Sequence, residues 1–437
     1  MLPDKTLTEL SFGPAGSVEG SLSESARSLV GSEILKIAAE IRGMVAAGKS
    51  VCNLTVGDFN PAYFPIPSVL LEEIHNAFDA GETNYPPSDG MPVLRQAVAD
   101  FAAREYGVRY PIGSTLIASG SRPLLYAAYR CVVNPGDIVV YPAPSWNNNH
   151  YVTLTKGKGI DLPTHAEDGF QPTLAQLAPH LDSAQLIALN TPLNPSGTVM
   201  KAEHLRAIAQ AIVDENVRRT KAGRRQLFLL FDQVYGSLVF GSSEHKHPAA
   251  LVPEIAPWLI TIDGISKGLS ATGLRVGWSL AAPEITARMR DLIGHVGAWA
   301  PRPEQVATAK FLQNEPAVAA FRKKMNAAVQ ERLEALYAGF SAMKAEGLPV
   351  DCINPQGAIY LSLQLGVVGR SVDGKLLATN EAVRKSILEH AGLAVVPFQA
   401  FGLMEETGWF RLSVGAVSME EIEQMFPRLR TLLGRIY

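Results

Sequence analysis

Residues 184–197 read AQLIALNTPLNPSG. A mostly apolar run of seven stops at Asn190, and a segment carrying Pro192, Pro195 and Gly197 follows. A short apolar run closed by turn residues is the pattern of a strand buried on both faces. The prolines hold the next residues out of a helix. Outward from this point the pattern repeats. STLIAS (114–119), DIVVYPA (137–143), QLFLLFD (226–232), WLITID (258–263) and RVGWSLAA (275–282) each predict a buried strand, with helical stretches between them. Such alternation means an α/β protein built on a mostly parallel sheet, with helices on both faces.

The flanks differ. Residues 1–20 are polar and aperiodic and predict a mobile arm, whereas 24–47 carry apolar residues at helical spacing and stop at Gly48. A long helical region, 304–346, follows the sheet. Beyond it a separate α+β pattern runs through QGAIYLSLQL (356–365), a helix at 379–391, GLAVVPF (392–398), GWFRLSVG (408–415) and a helix at 418–435. The expected organisation is an arm at 1–20, the first part of a small domain at 21–65, a large domain at 66–325 and the rest of the small domain at 326–437.

Bulk properties exclude several classes. A net charge of -3 leaves no electrostatic footprint for nucleic acid. No apolar run approaches the roughly 20 residues that span a bilayer. The first residues lack the basic and apolar regions of a secretory leader. Cys52, Cys131 and Cys352 are far apart and in no metal-binding spacing. The expected setting is the cytoplasm, with no membrane, nucleic-acid or metal partner.

In an open α/β sheet, ligands sit beyond the carboxyl ends of the strands. After STLIAS comes Gly120-Ser121-Arg122-Pro123, a helix start whose N–H groups suit an anion, or simply a capped helix. After AQLIALN comes Asn194, which a plain turn does not require. Asp232 ends QLFLLFD, with Tyr235 three residues on. A carboxylate there is either a helix cap or the partner of a protonated ring nitrogen. After WLITID, Lys267 lies in an uncharged loop, with Arg275 eight residues later. A lysine amine becomes nucleophilic when desolvated or set beside positive charge, and an arginine forks onto phosphate.

The order of these pieces resembles the class I/II aminotransferases, fold-type I enzymes that use pyridoxal 5'-phosphate. The resemblance rests on Tyr85-Pro86-Pro87-Ser88-Asp89-Gly90, Gly120-Ser121-Arg122, Asn194-Pro195-Ser196-Gly197, Asp232-Gln233-Val234-Tyr235 and Ser266-Lys267 through Arg275. It implies a seven-stranded-type sheet in the cofactor domain. It also implies that Lys267 binds the cofactor and moves the substrate proton, Asp232 pairs with the ring nitrogen, and Asn194 and Tyr235 bond the ring oxygen. Gly120, Ser121, Ser266 and Arg275 then hold the phosphate, with Tyr85 reaching it from the neighbouring subunit of a homodimer, and Arg122 is a further cofactor contact that, with Arg302 and the Asn-rich loop, would favour a dicarboxylic substrate. Trp146 stacks on the ring unless it is core packing. Arg411 and the backbone of Gly57 take the substrate α-carboxylate, unless Arg411 is a structural ion pair. The implied reaction moves an amino group between an L-amino acid, aspartate or glutamate, and a 2-oxo acid.

The sequence departs from that pattern in places. Gly264 stands where many relatives carry a phosphate-binding hydroxyl, for which Ser270 is the nearest substitute. Trp146-Asn147-Asn148-Asn149-His150 is rich in amides. Arg302, in Ala300-Pro301-Arg302-Pro303, falls where relatives read the substrate side chain across the dimer, and a distal carboxylate would suit it. Two other readings share the residues: a carbon–sulfur lyase or other eliminating enzyme, and a non-catalytic cofactor-binding regulator.

Overall fold

The computed structural model describes residues 9–16, 18–29, 31 and 33–437. Residues 1–8 and 17 of the expected arm therefore lie outside the described residues. The large sheet has seven strands, in spatial order Thr115–Ala118, Gly277–Leu280, Leu259–Gly264, Phe228–Asp232, Ala184–Asn190, Ile138–Ala143 and Lys158–Pro163. Only Gly277–Leu280 runs antiparallel to its neighbours. Six of these strands are the apolar runs of the sequence. The seventh, Lys158–Pro163, was not expected: it is an edge strand with a single fully buried residue, Leu162, so no apolar run marks it.

Burial on both faces is visible within one strand. Leu186 and Ala188 enter a core with Leu124 and Ala128 of the helix Ser121–Val132. Ile187 and Leu189, pointing the other way, pack with Leu205, Ile208 and Ile212 of the helix Ala202–Lys221.

The expected helix at 24–47 is two helices, Glu24–Ser28 and Glu33–Ala46, parted at Leu29, whose backbone is extended. The region 304–346 is likewise divided, into Arg302–Gln313 and Glu315–Ala345. Pro316 lies in the first turn of the second helix, where a missing N–H costs nothing, and Asn314 caps it through Ala317 N. That second helix passes from one core to another: Val318 packs beneath the large sheet, while Val329 to Phe340 join the core around the smaller one.

The smaller sheet is antiparallel, in the order Val396–Pro397, Trp409–Ser413, Tyr360–Leu365 and Val350–Cys352. Cys52–Asn53 pairs with Leu393–Ala394, and Ser413 N donates to Leu54 O at 2.7 Å. These bonds bring residues 55–58 to the mouth of the large sheet. Among the described residues no helix is long and apolar enough to cross a membrane.

Candidate active site

Where the carboxyl ends of the large sheet face residues 55–58 and the smaller sheet lies a cavity of about 400 Å³. Gly57, Ser121, Arg122, Trp146, Asn194, Asp232, Tyr235, Ser266, Lys267, Arg275 and Arg411 line it, so eleven of the fourteen candidate residues meet there. Gly120, Tyr85 and Arg302 are outside.

Lys267 sits on the single turn Ile265–Gly268, and its Nζ donates to Gly57 O at 2.5 Å. Burial pulls the ammonium down to about 8; Asp58 opposes this, while Arg411, Arg122 and Arg275 reinforce it. Asp232 ends its strand with Oδ1 accepting from Val234 N at 3.2 Å. Burial pushes its carboxyl up to about 6, against the Val234 N–H and the charge of Lys267. No arginine or lysine forms an ion pair with Asp232 among the described residues.

Asn190, unmarked in the sequence, fixes the neighbouring turn. Its amide donates to Asp232 O at 2.9 Å, and its Oδ1 accepts from Asn194 N at 2.9 Å. Pro192 and Pro195 both follow cis peptide bonds. Gly197, at φ 75°, passes so close to the Tyr360 carbonyl that any Cβ would strike it, so only glycine fits. Asn194 Oδ1 then accepts from Arg411 Nη1 at 3.1 Å.

Arg411 is 1% exposed and lies between the rings of Tyr360 and Phe401, at 4.7 and 4.9 Å. Its Nη2 donates to Thr55 O at 2.6 Å, yet its buried Nε has no partner and no carboxylate approaches it among the described residues. Arg122 packs its guanidinium over Trp146 at 5.5 Å and forms no hydrogen bond or ion pair among the described residues.

At the far end, the helix Ser121–Val132 begins without a side-chain cap, leaving its first N–H groups directed at the cavity beside Ser266 and Arg275. Arg275 donates to Thr272 O at 2.7 Å and Ser119 O at 3.1 Å. A Cβ on Gly264 would meet Gly277 Cα and Val276 O at 2.9 Å, and one on Gly277 would meet Gly120 C and Ser121 N at 2.5 and 2.7 Å. Three glycines thus stack in contact, which is why position 264 carries no hydroxyl. Ser270 does not replace it: its hydroxyl is buried and donates to Phe64 O at 2.6 Å.

Tyr85 is 82% exposed and meets Trp299 edge-on, with ring centroids at 5.5 Å. Arg302 is ion-paired with Glu82. These contacts join the loop bearing Tyr85 to the start of the helix Arg302–Gln313, and neither of the two residues expected to serve a neighbouring subunit lines this chain's own cavity.

Sequence reasoning missed Asp58, Thr272 and Tyr360, all lining the cavity. Asp58 accepts from Thr272 Oγ1 at 2.7 Å, and Tyr360 shares a hydrogen bond of 2.5 Å with Tyr235. The available signal for Tyr360 was a hydroxyl at the start of the strand that pairs with the one bearing Arg411.

Residues 49–429 match the family described as aminotransferase class I and II. The chain is 29% identical to an aspartate aminotransferase of Rhizobium meliloti (strain 1021) across the full length of both. It is 28% identical to an aspartate/prephenate aminotransferase of Cereibacter sphaeroides, covering 94% of this chain and 98% of the relative. The crystal structure of the Rhizobium meliloti aspartate aminotransferase superposes with a TM-score of 0.86 at 28% identity, over 95% of this chain and 99% of that one.

Proposed function

The chain belongs to the class I and II aminotransferases, and on that premise we propose that it moves the amino group of a dicarboxylic amino acid, aspartate or glutamate, to a 2-oxo acid, with pyridoxal 5'-phosphate carried on Lys267. The cavity fits that cofactor at each end. An uncapped helix start with Ser121, Ser266 and Arg275 suits its phosphate. Asp232, buried without a cation, suits a protonated ring nitrogen. Bound there, the group supplies a carbonyl that captures amines and a ring that accepts the electron pair left when a Cα–H bond breaks.

The chain's own residues do the rest. Asp232 would hold negative charge against the ring nitrogen and favour the electron-accepting state. Asn194 and Tyr235 would bond the ring oxygen. Lys267, whose ammonium is drawn down to about 8, would be the group that takes up and returns the Cα proton. Arg411, stacked and short of an anion, grips the α-carboxylate with the Gly57 backbone beside it. Trp146, which lines the cavity, would stack on the ring. Tyr85 and Arg302 serve the partner's cavity in a homodimer, a reading supported by their position outside this one.

One observation carries the substrate class: Arg411 and Arg122 are two guanidiniums in one cavity, and neither meets a carboxylate of the described residues. A dicarboxylic substrate answers both. The test is the visible spectrum of the cofactor-loaded protein while single amino acids are added without a 2-oxo acid. Conversion to a stable aminated cofactor, greatest with aspartate or glutamate, is the expected result. A band that shifts and returns as ammonia appears would identify an eliminating enzyme instead. Absence of any lysine-bound band would defeat the assignment of Lys267.

A further inference from the structure

Tyr360 touches two groups that act at opposite ends of the reacting centre. Its ring lies under the Arg411 guanidinium at 4.7 Å, and its hydroxyl is 2.5 Å from that of Tyr235. Both tyrosines are buried, 1% and 3% exposed, and neither hydroxyl has another hydrogen-bond partner among the described residues. The pair therefore holds two protons and one mutual hydrogen bond. One proton is left over.

The surroundings decide where it goes once an acceptor enters the cavity. The Tyr360 hydroxyl is hemmed in by Gly57, whose Cβ position would lie 3.0 Å from it. The Tyr360 backbone is clamped against Gly197, paired with Ser413 and followed by Ser362, whose hydroxyl donates to Ser196 O at 3.0 Å. Tyr360 lines the cavity on a fixed strand, and the Tyr235 oxygen is the one hydrogen-bond partner its hydroxyl has among the described residues. Tyr235 then directs its own proton outward.

Resting on the cofactor reading above, we infer that Tyr360 is a positioning residue for Tyr235: its hydroxyl donates to the Tyr235 oxygen and so commits the Tyr235 proton to the cofactor's ring oxygen. The same ring supports Arg411.

Tyr360→Phe removes the hydroxyl and leaves the ring under Arg411. The experiment titrates the visible band of the lysine-bound cofactor in wild type, Tyr360→Phe, Tyr235→Phe and the double variant. A donor to the ring oxygen weakens that oxygen's hold on the proton it shares with the lysine nitrogen. Losing part of that donation raises the titration midpoint, in Tyr360→Phe by roughly 0.5 to 1 pH unit. In the Tyr235→Phe background the second substitution should add nothing, and the KM of Tyr360→Phe should stay within about twofold of wild type because the stack on Arg411 survives. An unmoved midpoint, or an equal shift in both backgrounds, overturns the inference. A wild-type protein with no such band overturns the cofactor reading itself, so the two failures are distinct.

Discussion

Two buried arginines stand at opposite ends of the same sheet. Arg219, 3% exposed, lies near Ala184 at the start of its strand. It bonds Glu215 at 2.7 Å and the carbonyls of Leu181 and Ala184 at 2.6 Å. Arg411, 1% exposed, lies beyond the carboxyl ends with an amide oxygen, one carbonyl and an unbonded Nε. Burying a charge is costly unless it is paired. Arg219 is complete within the fold. Arg411 is not, and its missing anion has to come with a ligand. The amino ends of this sheet are finished by structure, and its carboxyl ends are left open for chemistry.

The contrast can be broken at several points. Lys267→Ala should remove the acid–base group and lower turnover by about 10⁴-fold or more with the fold intact, measured by coupled assay and circular dichroism. Arg411→Ala should lower kcat/KM by about 10²–10³-fold with no loss of thermal stability, since it deletes an uncompensated charge. Arg219→Ala should do the reverse, costing about 3 kcal/mol in denaturant unfolding while kcat/KM of the folded protein holds. If Arg411→Ala proved the destabilising variant and Arg219→Ala the inactive one, the distinction would collapse. Arg122→Ala should cost about 10–100-fold with aspartate or glutamate and little with alanine, whereas an equal loss for all three would assign it to packing.

The smallest effect concerns pH. Because the Lys267 ammonium is drawn down to about 8, its reactive neutral form grows as pH rises to that point. Cofactor capture by the apoprotein should accelerate with pH and level off just above 8, where an unperturbed lysine would keep accelerating past 10. Asp58 supports the charged form, so Asp58→Asn should move the midpoint lower. A midpoint that stayed still would remove Asp58 from the lysine's surroundings.

Legibility in the sequence followed burial. Ala184–Asn190 announced itself because every residue is buried and five of the seven are apolar. Lys158–Pro163 needed no such sequence at the sheet edge and went unseen. Asn194 and Lys267 were readable because they come soon after buried strands, Asp232 because it ends one and Arg275 because it stands just before one. Asp58 and Tyr360 were not, since their place depends on two non-local pairings, Leu54 against Ser413 and Tyr360–Leu365 against Trp409–Ser413. The vacancy at position 264 was visible. Its cause was not, because what forbids a side chain there is the main chain of Val276 and Gly277, brought alongside by the pairing of the two strands.

That stack of Gly264, Gly277 and Gly120 sets a limit for redesign. At Gly264 and Gly277 the absent methyl would strike main chain, which no side-chain rearrangement can clear, whereas at Gly120, with φ 85°, it would strike the Arg275 guanidinium. Positions 264 and 277 are therefore closed to single changes, and position 120 is closed as long as Arg275 keeps its place. A library seeking a tighter or altered grip on the anionic end should leave those glycines untouched and vary Ser121 and Ser266, which line the cavity.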